Sequence, residues 1–242
     1  MWRIFFKEVN SFLNSLIAYM VIGVFLTSLG LIVWVFPQSN VFDYGFADMY
    51  TFFSFAPYVL MFLIPAITMR SFAEERKSGT LELLLTQPLT EFQVILGKYL
   101  SAVFLVLVAI LPTLFYYFTL STLSNPPGNI DSAGVAGSYI GLILLGSVFA
   151  SIGIFSSSIT ENQVVAFIIG VFLCFIFYYG MSSLAAIDVW GAYSVGLEYL
   201  GLMHHYMSLS RGLIDSRNIV YLLGFVGVMI FLTDLVLKIR KW

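Results

Sequence analysis

The chain has 242 residues, of which 60% are hydrophobic and 10% charged. Soluble domains carry about 25% charged residues, so a chain this apolar cannot cover a water-facing surface, and the bilayer is its expected solvent. A net charge of −2 with no basic tail or stripe excludes an electrostatic footprint for nucleic acid, and one cysteine, Cys174, excludes an internal disulfide or a cysteine-based metal site.

The amino-terminal stretch carries Arg3 and Lys7 and then runs apolar from Leu16 to Phe36. This exceeds the roughly 7–15 residues of a signal h-region and lacks an A-x-A-like site, so it reads as an uncleaved membrane helix. A membrane helix needs about 20 mainly apolar residues. Uncharged runs meet that need six times and predict helices near 15–36, 50–70, 95–120, 136–158, 163–184 and 218–238. The fold class is therefore an all-α integral membrane protein with six transmembrane helices in a single domain, 1–242.

Helix two contains Pro65 and helix three Pro112, each of which removes a backbone hydrogen bond and predicts a kink. Between these helices lies most of the charge in the chain. Helix two is expected to continue unbroken to Lys77, because the polar run Arg70–Lys77 contains no breaker. Gly79 stops it, Thr80 is placed to cap a new short helix, and Leu81, Leu84 and Leu85 share one face of that helix. Pro88 ends it, and Thr90-Glu91-Phe92-Gln93 forms a capping box that starts helix three. This short apolar face suits either a docked partner or the lipid headgroups.

Asn125-Pro126-Pro127-Gly128-Asn129 is turn chemistry. In helix four, Gly146, Ala150 and Gly153 fall near one face and admit a close neighbour, with internal packing as the plain reading and a dimer seam as the alternative. The stretch from 186 to 217 is too polar to span. Its Trp190, Tyr193, Tyr199, Leu200 and Tyr206 predict short amphipathic helices at the outer interface. His204 and His205, with Glu198 and Asp215 nearby, are weighed as a metal or hydrolytic site. Adjacent histidines point to different helix faces and no H-E-x-x-H is present, so two interfacial histidines are the plainer reading. In helix six, Asp234 and Lys238 are four residues apart and expected to pair.

No predicted membrane helix carries a charge near its centre, unlike proton- or ion-coupled transporters. Nine of the eleven basic residues fall at the two termini and between helices two and three, which places both termini in the cytoplasm.

The charged segment resembles the signature of ABC-2 type permeases, E-E-R-x-x-G-T-x-E-x-L-L-x-x-P. Glu74, Glu75, Arg76, Gly79, Thr80, Glu82, Leu84, Leu85 and Pro88 stand in those places. Glu91 and Gly97-Lys98-Tyr99 extend the likeness, as do an amino-terminal interfacial helix at Trp2–Leu13 and re-entrant-like elements before helix six. The wording is most similar to that of gliding-motility-associated permeases, and NosY-like permeases share the same signature. The resemblance implies an ABC-2, type V exporter-like fold in the inner membrane. It implies a coupling helix at about 79–88, in which Glu74, Glu75, Arg76, Gly79, Thr80, Leu81, Glu82, Leu84, Leu85 and Pro88 engage a cytoplasmic ATP-binding subunit. It also implies a second copy or a related permease beside this one, and no catalysis by this chain. ATP and Mg would be bound by the partner. The sequence agrees that no cofactor is held here: it has no G-x-x-x-x-G-K-[ST], and Gly97-Lys98 is followed by Tyr99 with Phe92 where the first glycine belongs. A non-transporting scaffold is the rival in another class.

Overall fold

The computed structural model describes residues 1–37, 39–44, 48–81, 90–187, 191 and 193–239. Among these residues every regular element is helical. The chain opens with α1 (Trp2–Leu13), which buries Ile4 and Val9 and exposes Trp2 and Phe6, as a helix lying along an interface does. Ser15 caps α2 (Leu16–Trp34) by accepting from the Ala18 N–H. A single turn, α3 (Val41–Tyr44), precedes α4 (Tyr50–Thr68) and α5 (Arg70–Lys77). Beyond the signature segment come α6 (Glu91–Ile110) and α7 (Leu114–Leu123), joined by a 3-10 turn that holds Pro112. They are followed by α8 (Ser132–Ile159), α9 (Gln163–Phe175), a π turn at Ile176–Gly180 and α10 (Met181–Ala185). Two short helices, α11 (Ser194–Leu200) and α12 (Leu202–Leu209), lead into α13 (Ser216–Ile239).

Six helical stretches are long and apolar enough to cross a membrane: 16–34, 50–77, 91–123, 132–159, 163–185 and 216–239. Each coincides with a predicted span. The third begins at Glu91, ahead of its apolar run, where the expected Thr90–Gln93 capping box forms. The unbroken run from helix two to Lys77 is corrected: the helix is interrupted at Met69, between α4 and α5.

The core centres on α8, where Leu142, Leu145, Val148, Phe149 and Ile152 are fully buried. Its small residues face inward. Gly146 meets Val106 of α6, and Gly153 meets Thr68 of α4 so closely that an added Cβ would overlap the Thr68 hydroxyl. The small face is thus spent on internal helix packing. On the outside, Val24 of α2, Ile168 and Phe172 of α9 and Val220 of α13 point outward, a surface suited to hydrocarbon.

The stretch before α13 carries the expected short helices, and α12 turns its apolar face onto the bundle. Leu202, Tyr206 and Leu209 are buried, and Ser138 of α8 donates to the Ser210 carbonyl at 2.8 Å. Tyr193 and Tyr199 stay exposed, and Trp190 lies outside the described residues. The inward pull has a specific origin. Pro57 has no N–H, so the Phe53 carbonyl one turn earlier lacks its helical donor. The Tyr206 hydroxyl supplies that hydrogen bond at 2.7 Å, which clamps α12 to α4.

Candidate functional site

The segment carrying the signature is built as an arm that leaves the membrane bundle through a spliced joint. In a continuous helix the Ala73 N–H would bond to the Met69 carbonyl. Here the Ser157 hydroxyl, from α8, stands between them. It donates to the Met69 carbonyl at 2.9 Å and accepts from the N–H groups of Phe72 at 3.0 Å and Ala73 at 3.1 Å. A side chain inserted in the backbone ladder is a recognised cause of a kink. It also satisfies donors that a fresh helix start would leave orphaned. Ser157 is fully buried, so water does not compete for these bonds.

Next to the joint sits a charge network. Lys98 lies seven residues inside α6 and its side chain is 1% exposed. Its ammonium meets Glu8 of α1 at 2.8 Å, Glu75 of α5 at 2.9 Å and the Ser71 carbonyl at 2.6 Å. The ammonium donates to Glu8 and to the Ser71 carbonyl, and Glu75 meets it as an ion pair. The Phe72 ring lies 5.1 Å beneath the ammonium and adds a cation–π contact. Lys7 reaches the other oxygen of Glu75 at 2.9 Å. Burial pulls the Lys7 pKa down, but the hydrogen bond and charge of Glu75, helped by Glu8, raise it above its ordinary 10.5. A charge removed from water is tolerated only when paired and hydrogen-bonded. These contacts therefore fix α1, α5 and α6 to one another at one end of the bundle.

The arm then turns. Gly79 has φ +70°, a left-handed conformation that glycine enters without steric cost, and it ends α5. The Ser78 and Thr80 hydroxyls are 2.8 Å apart, and Thr80 also reaches the Glu75 carbonyl. On the return side, the Thr90 hydroxyl accepts from the Gln93 N–H while the Gln93 side chain accepts from the Thr90 N–H, both at 3.3 Å. The segment between Gly79 and Thr90 is thus flanked by two well-defined helix ends.

The structure places the signature residues unequally. Glu74 and Thr80 are exposed, Arg76 is half-buried, and Leu81 is half-buried against the core. Glu75 faces inward onto Lys98 and Lys7. Glu82, Leu84, Leu85 and Pro88 lie outside the described residues.

Sequence reasoning missed Ser157 and Glu8, and it took Lys98 for one more basic residue near a helix end. A lysine followed by a long apolar run, with acidic residues available on two neighbouring segments, is the signal that points to the ion network. Nothing local to the sequence marks Ser157 among the serines of α8.

The histidine pair was weighed as a second site. His205 has both ring nitrogens engaged, with Asn218 at 2.8 Å and the Tyr199 carbonyl at 2.9 Å, and it stacks on Tyr221 at 3.9 Å. Such a histidine braces the fold. His204 meets Glu198 at 3.4 Å, and the Asp215 carboxylate accepts from the Arg217 N–H. Among the described residues no group of three His, Cys, Asp or Glu is disposed to hold a metal ion.

At the end of the bundle away from the ion network, two cavities flank the outer half of α4. One of about 840 Å³ is bordered by Ile32, Asp48 and Tyr50, and one of about 520 Å³ by Tyr58, Tyr178, Tyr206 and Arg211; Tyr50, Ser54 and Phe55 border both. Tyr178 lies in the π turn of the fifth span and stacks edge-on against Tyr58 at 5.7 Å. π turns inside membrane helices are frequent at working sites.

Over residues 40–237 the chain matches the family described as ABC-2 family transporter protein. No curated protein matches it. That match takes in the second to fifth membrane spans, nearly all of the sixth, the charged arm and the short helices before α13. The chain therefore belongs to the ABC-2 transporter family, as a multi-pass membrane permease of an ABC transporter.

Proposed function

We propose that this permease couples ATP hydrolysis on a separate subunit to movement of cargo, or of force, across the bacterial inner membrane. The observation that carries the reading is the construction of the arm: α5 is spliced to α4 through the Ser157 hydroxyl and anchored to α1 and α6 through Lys98. An element fixed by buried ion pairs and joined to a membrane helix at a defined break can carry a push from its tip into the bundle.

In this reading the charged end of the bundle and both termini face the cytoplasm, as the distribution of Lys and Arg favours. The segment 79–88 docks on a cytoplasmic ATP-binding subunit, which binds ATP and Mg. Arg76, Thr80, Leu81, Glu82, Leu84 and Leu85 supply the docking surface, and Gly79 and Pro88 shape it. Glu75 acts one step back, by holding α5 to Lys98. Closure of the ATP-binding pair displaces α5, and α4 then alters the two outer cavities. A second copy or a related permease completes the translocation path. The signature's likeness to gliding-motility-associated permeases supports a role in surface gliding, with an uncharged pathway suited to a hydrophobic, lipid-linked or polymeric cargo.

The test is to purify the tagged chain in mild detergent and identify the ATP-binding subunit that accompanies it. Glu82→Lys, or Leu84→Asp with Leu85→Asp, is expected to detach that subunit or to abolish the dependence of its ATPase on this chain, with membrane insertion intact. Normal assembly and normal permease-dependent hydrolysis in these variants would reject the docking surface. An ATPase indifferent to the permease altogether would favour the scaffold reading.

A further inference from the structure

The charged end of the bundle contains a half-open pocket of about 300 Å³ bordered by α1, α4, α5 and α6. Its charges can be matched pair by pair. Lys7 and Lys98 are taken up by Glu8 and Glu75. Two charged groups on the wall remain, Arg70 and Glu74. They sit one turn apart on α5, at the spacing that favours an ion pair, yet no ion pair joins them, and neither side chain has a partner among the described residues. The Arg70 Nε is moreover withdrawn from solvent with no acceptor, a condition that costs free energy until one arrives.

One free cation and one free carboxylate on the same wall are complementary to a zwitterion. A lone anion would bind beside the unpaired charge of Glu74, and a lone cation beside that of Arg70. The volume is at the small end for ligand sites, which run from about 300 to 1,000 Å³, so it takes a headgroup and not a nucleotide. The surroundings are those of a lipid. Phe12, Ile67 and Leu105 form an apolar side to the pocket. Trp2 and Phe6 are exposed on α1, the pattern of a helix resting at headgroup depth.

We propose that this pocket binds the headgroup of a zwitterionic phospholipid with a primary amine, of the phosphatidylethanolamine class. The phosphodiester accepts from the Arg70 guanidinium, the ammonium donates to the Glu74 carboxylate, and the acyl chains leave past Phe12, Ile67 and Leu105. A choline headgroup lacks the N–H that Glu74 would accept, and a glycerol headgroup brings the anion without the cation. The bound lipid would brace α5 against α1 beside the Lys98 network.

The test uses the full chain in nanodiscs of phosphatidylcholine, alone or mixed with phosphatidylethanolamine or with phosphatidylglycerol, reading the melting midpoint and, by native mass spectrometry, the lipid retained. Phosphatidylethanolamine is expected to raise the midpoint and to be retained in preference to the other two. Arg70→Gln and Glu74→Gln should each reduce that preference by about tenfold, the scale of one charge-assisted hydrogen bond. Glu74→Lys should turn it toward phosphatidylglycerol. Should Arg70→Gln fail to fold, Glu74→Gln, at an exposed position, carries the test alone. The proposal is overturned by equal retention of all three lipids, or by a phosphatidylglycerol preference that Glu74→Gln leaves unchanged. It is also overturned if soluble phosphoethanolamine produces the whole shift in detergent, which would make the pocket a site for a free metabolite.

Discussion

Replacing Lys98 with methionine keeps much of the side-chain volume and deletes the ammonium that three acceptors share. Breaking a buried ion pair by removing one partner costs about 3–5 kcal/mol when the remaining charge is stranded. The stranding here is partial. Glu75 keeps Lys7 at 2.9 Å, and Glu8 keeps Lys7 at 3.9 Å and a side chain 20% exposed. The Ser71 carbonyl loses its ammonium donor outright. Weighing these, the loss is about 2–3 kcal/mol, near the lower end of the range for buried pairs. For chains of 150–250 residues this lowers the melting midpoint by roughly 4–12 °C. The measurement is thermal unfolding in a fixed detergent or nanodisc, followed by tryptophan fluorescence. Lys98→Met combined with Glu75→Gln should be less damaging than the sum of the two single changes by about 1 kcal/mol or more, because the second change removes the carboxylate that the first leaves short of a partner. A Lys98→Met protein that melts within experimental error of the parent would refute the idea that this network holds α5 in place.

Ser157→Ala removes one hydroxyl and leaves the buried N–H groups of Phe72 and Ala73 without their acceptor, at a cost of about 1–3 kcal/mol for the joint. The alternative relaxation is closure of the backbone ladder into an unbroken helix, which spin-label distances between α4 and the α5 tip would report as a change in the angle of the arm. Tyr206→Phe should destabilise the outer half of α4 by about 1–3 kcal/mol, by stranding the Phe53 carbonyl. Adding Pro57→Ala restores a backbone N–H to that carbonyl, so the double variant is expected to melt higher than Tyr206→Phe alone, and failure of this rescue would reject the clamp. The Lys7 pKa is raised above 10.5, so its pairing stabilises the fold at every pH below that value and is lost as pH rises through the higher folded pKa. The midpoint difference between the parent and Lys7→Met should therefore stay constant between about pH 7 and pH 9 and shrink in stronger alkali.

The six spans were legible because each rests on one local quantity, the length of an uncharged run, and no partner is needed to evaluate it. The start of α6 was legible in the Thr90–Gln93 box for the same reason, as was the stop at Gly79. The features that define the arm were not local. The break at Met69 depends on Ser157, more than 80 residues away, and on the burial that keeps water out of the joint. The run Arg70–Lys77 contains nothing that disfavours a helix, so its text alone predicts continuity. The placement of α12 depends on a donor missing at Pro57, which only the fold brings within reach of Tyr206. Lys98 lies two turns inside α6 and has to find partners, but those partners, Glu8, Glu75 and the Ser71 carbonyl, come from two other helices that only the fold brings to it.

Two serines near opposite ends of α8 also say which membrane helix can move. Ser138 holds the outer segment through Ser210, and Ser157 holds the joint between α4 and α5. They are 19 residues apart in one uninterrupted helix, so about 28 Å separates them at 1.5 Å per residue. That is close to the roughly 30 Å of a hydrocarbon core. A continuous, largely buried helix of this length can act as a strut between the two ends of the bundle. Alongside it, α4 carries Pro57 and Pro65 and ends at the spliced joint, so its backbone ladder is interrupted at three places over the same distance. A displacement imposed on α5 meets a stiff neighbour in α8 and a yielding one in α4. The strain is accordingly taken up as bending of α4, whose outer half borders both cavities and is clamped to α12. On the proposed coupling, a push at the charged end would reach the cavities at the other end through α4 and not through α8.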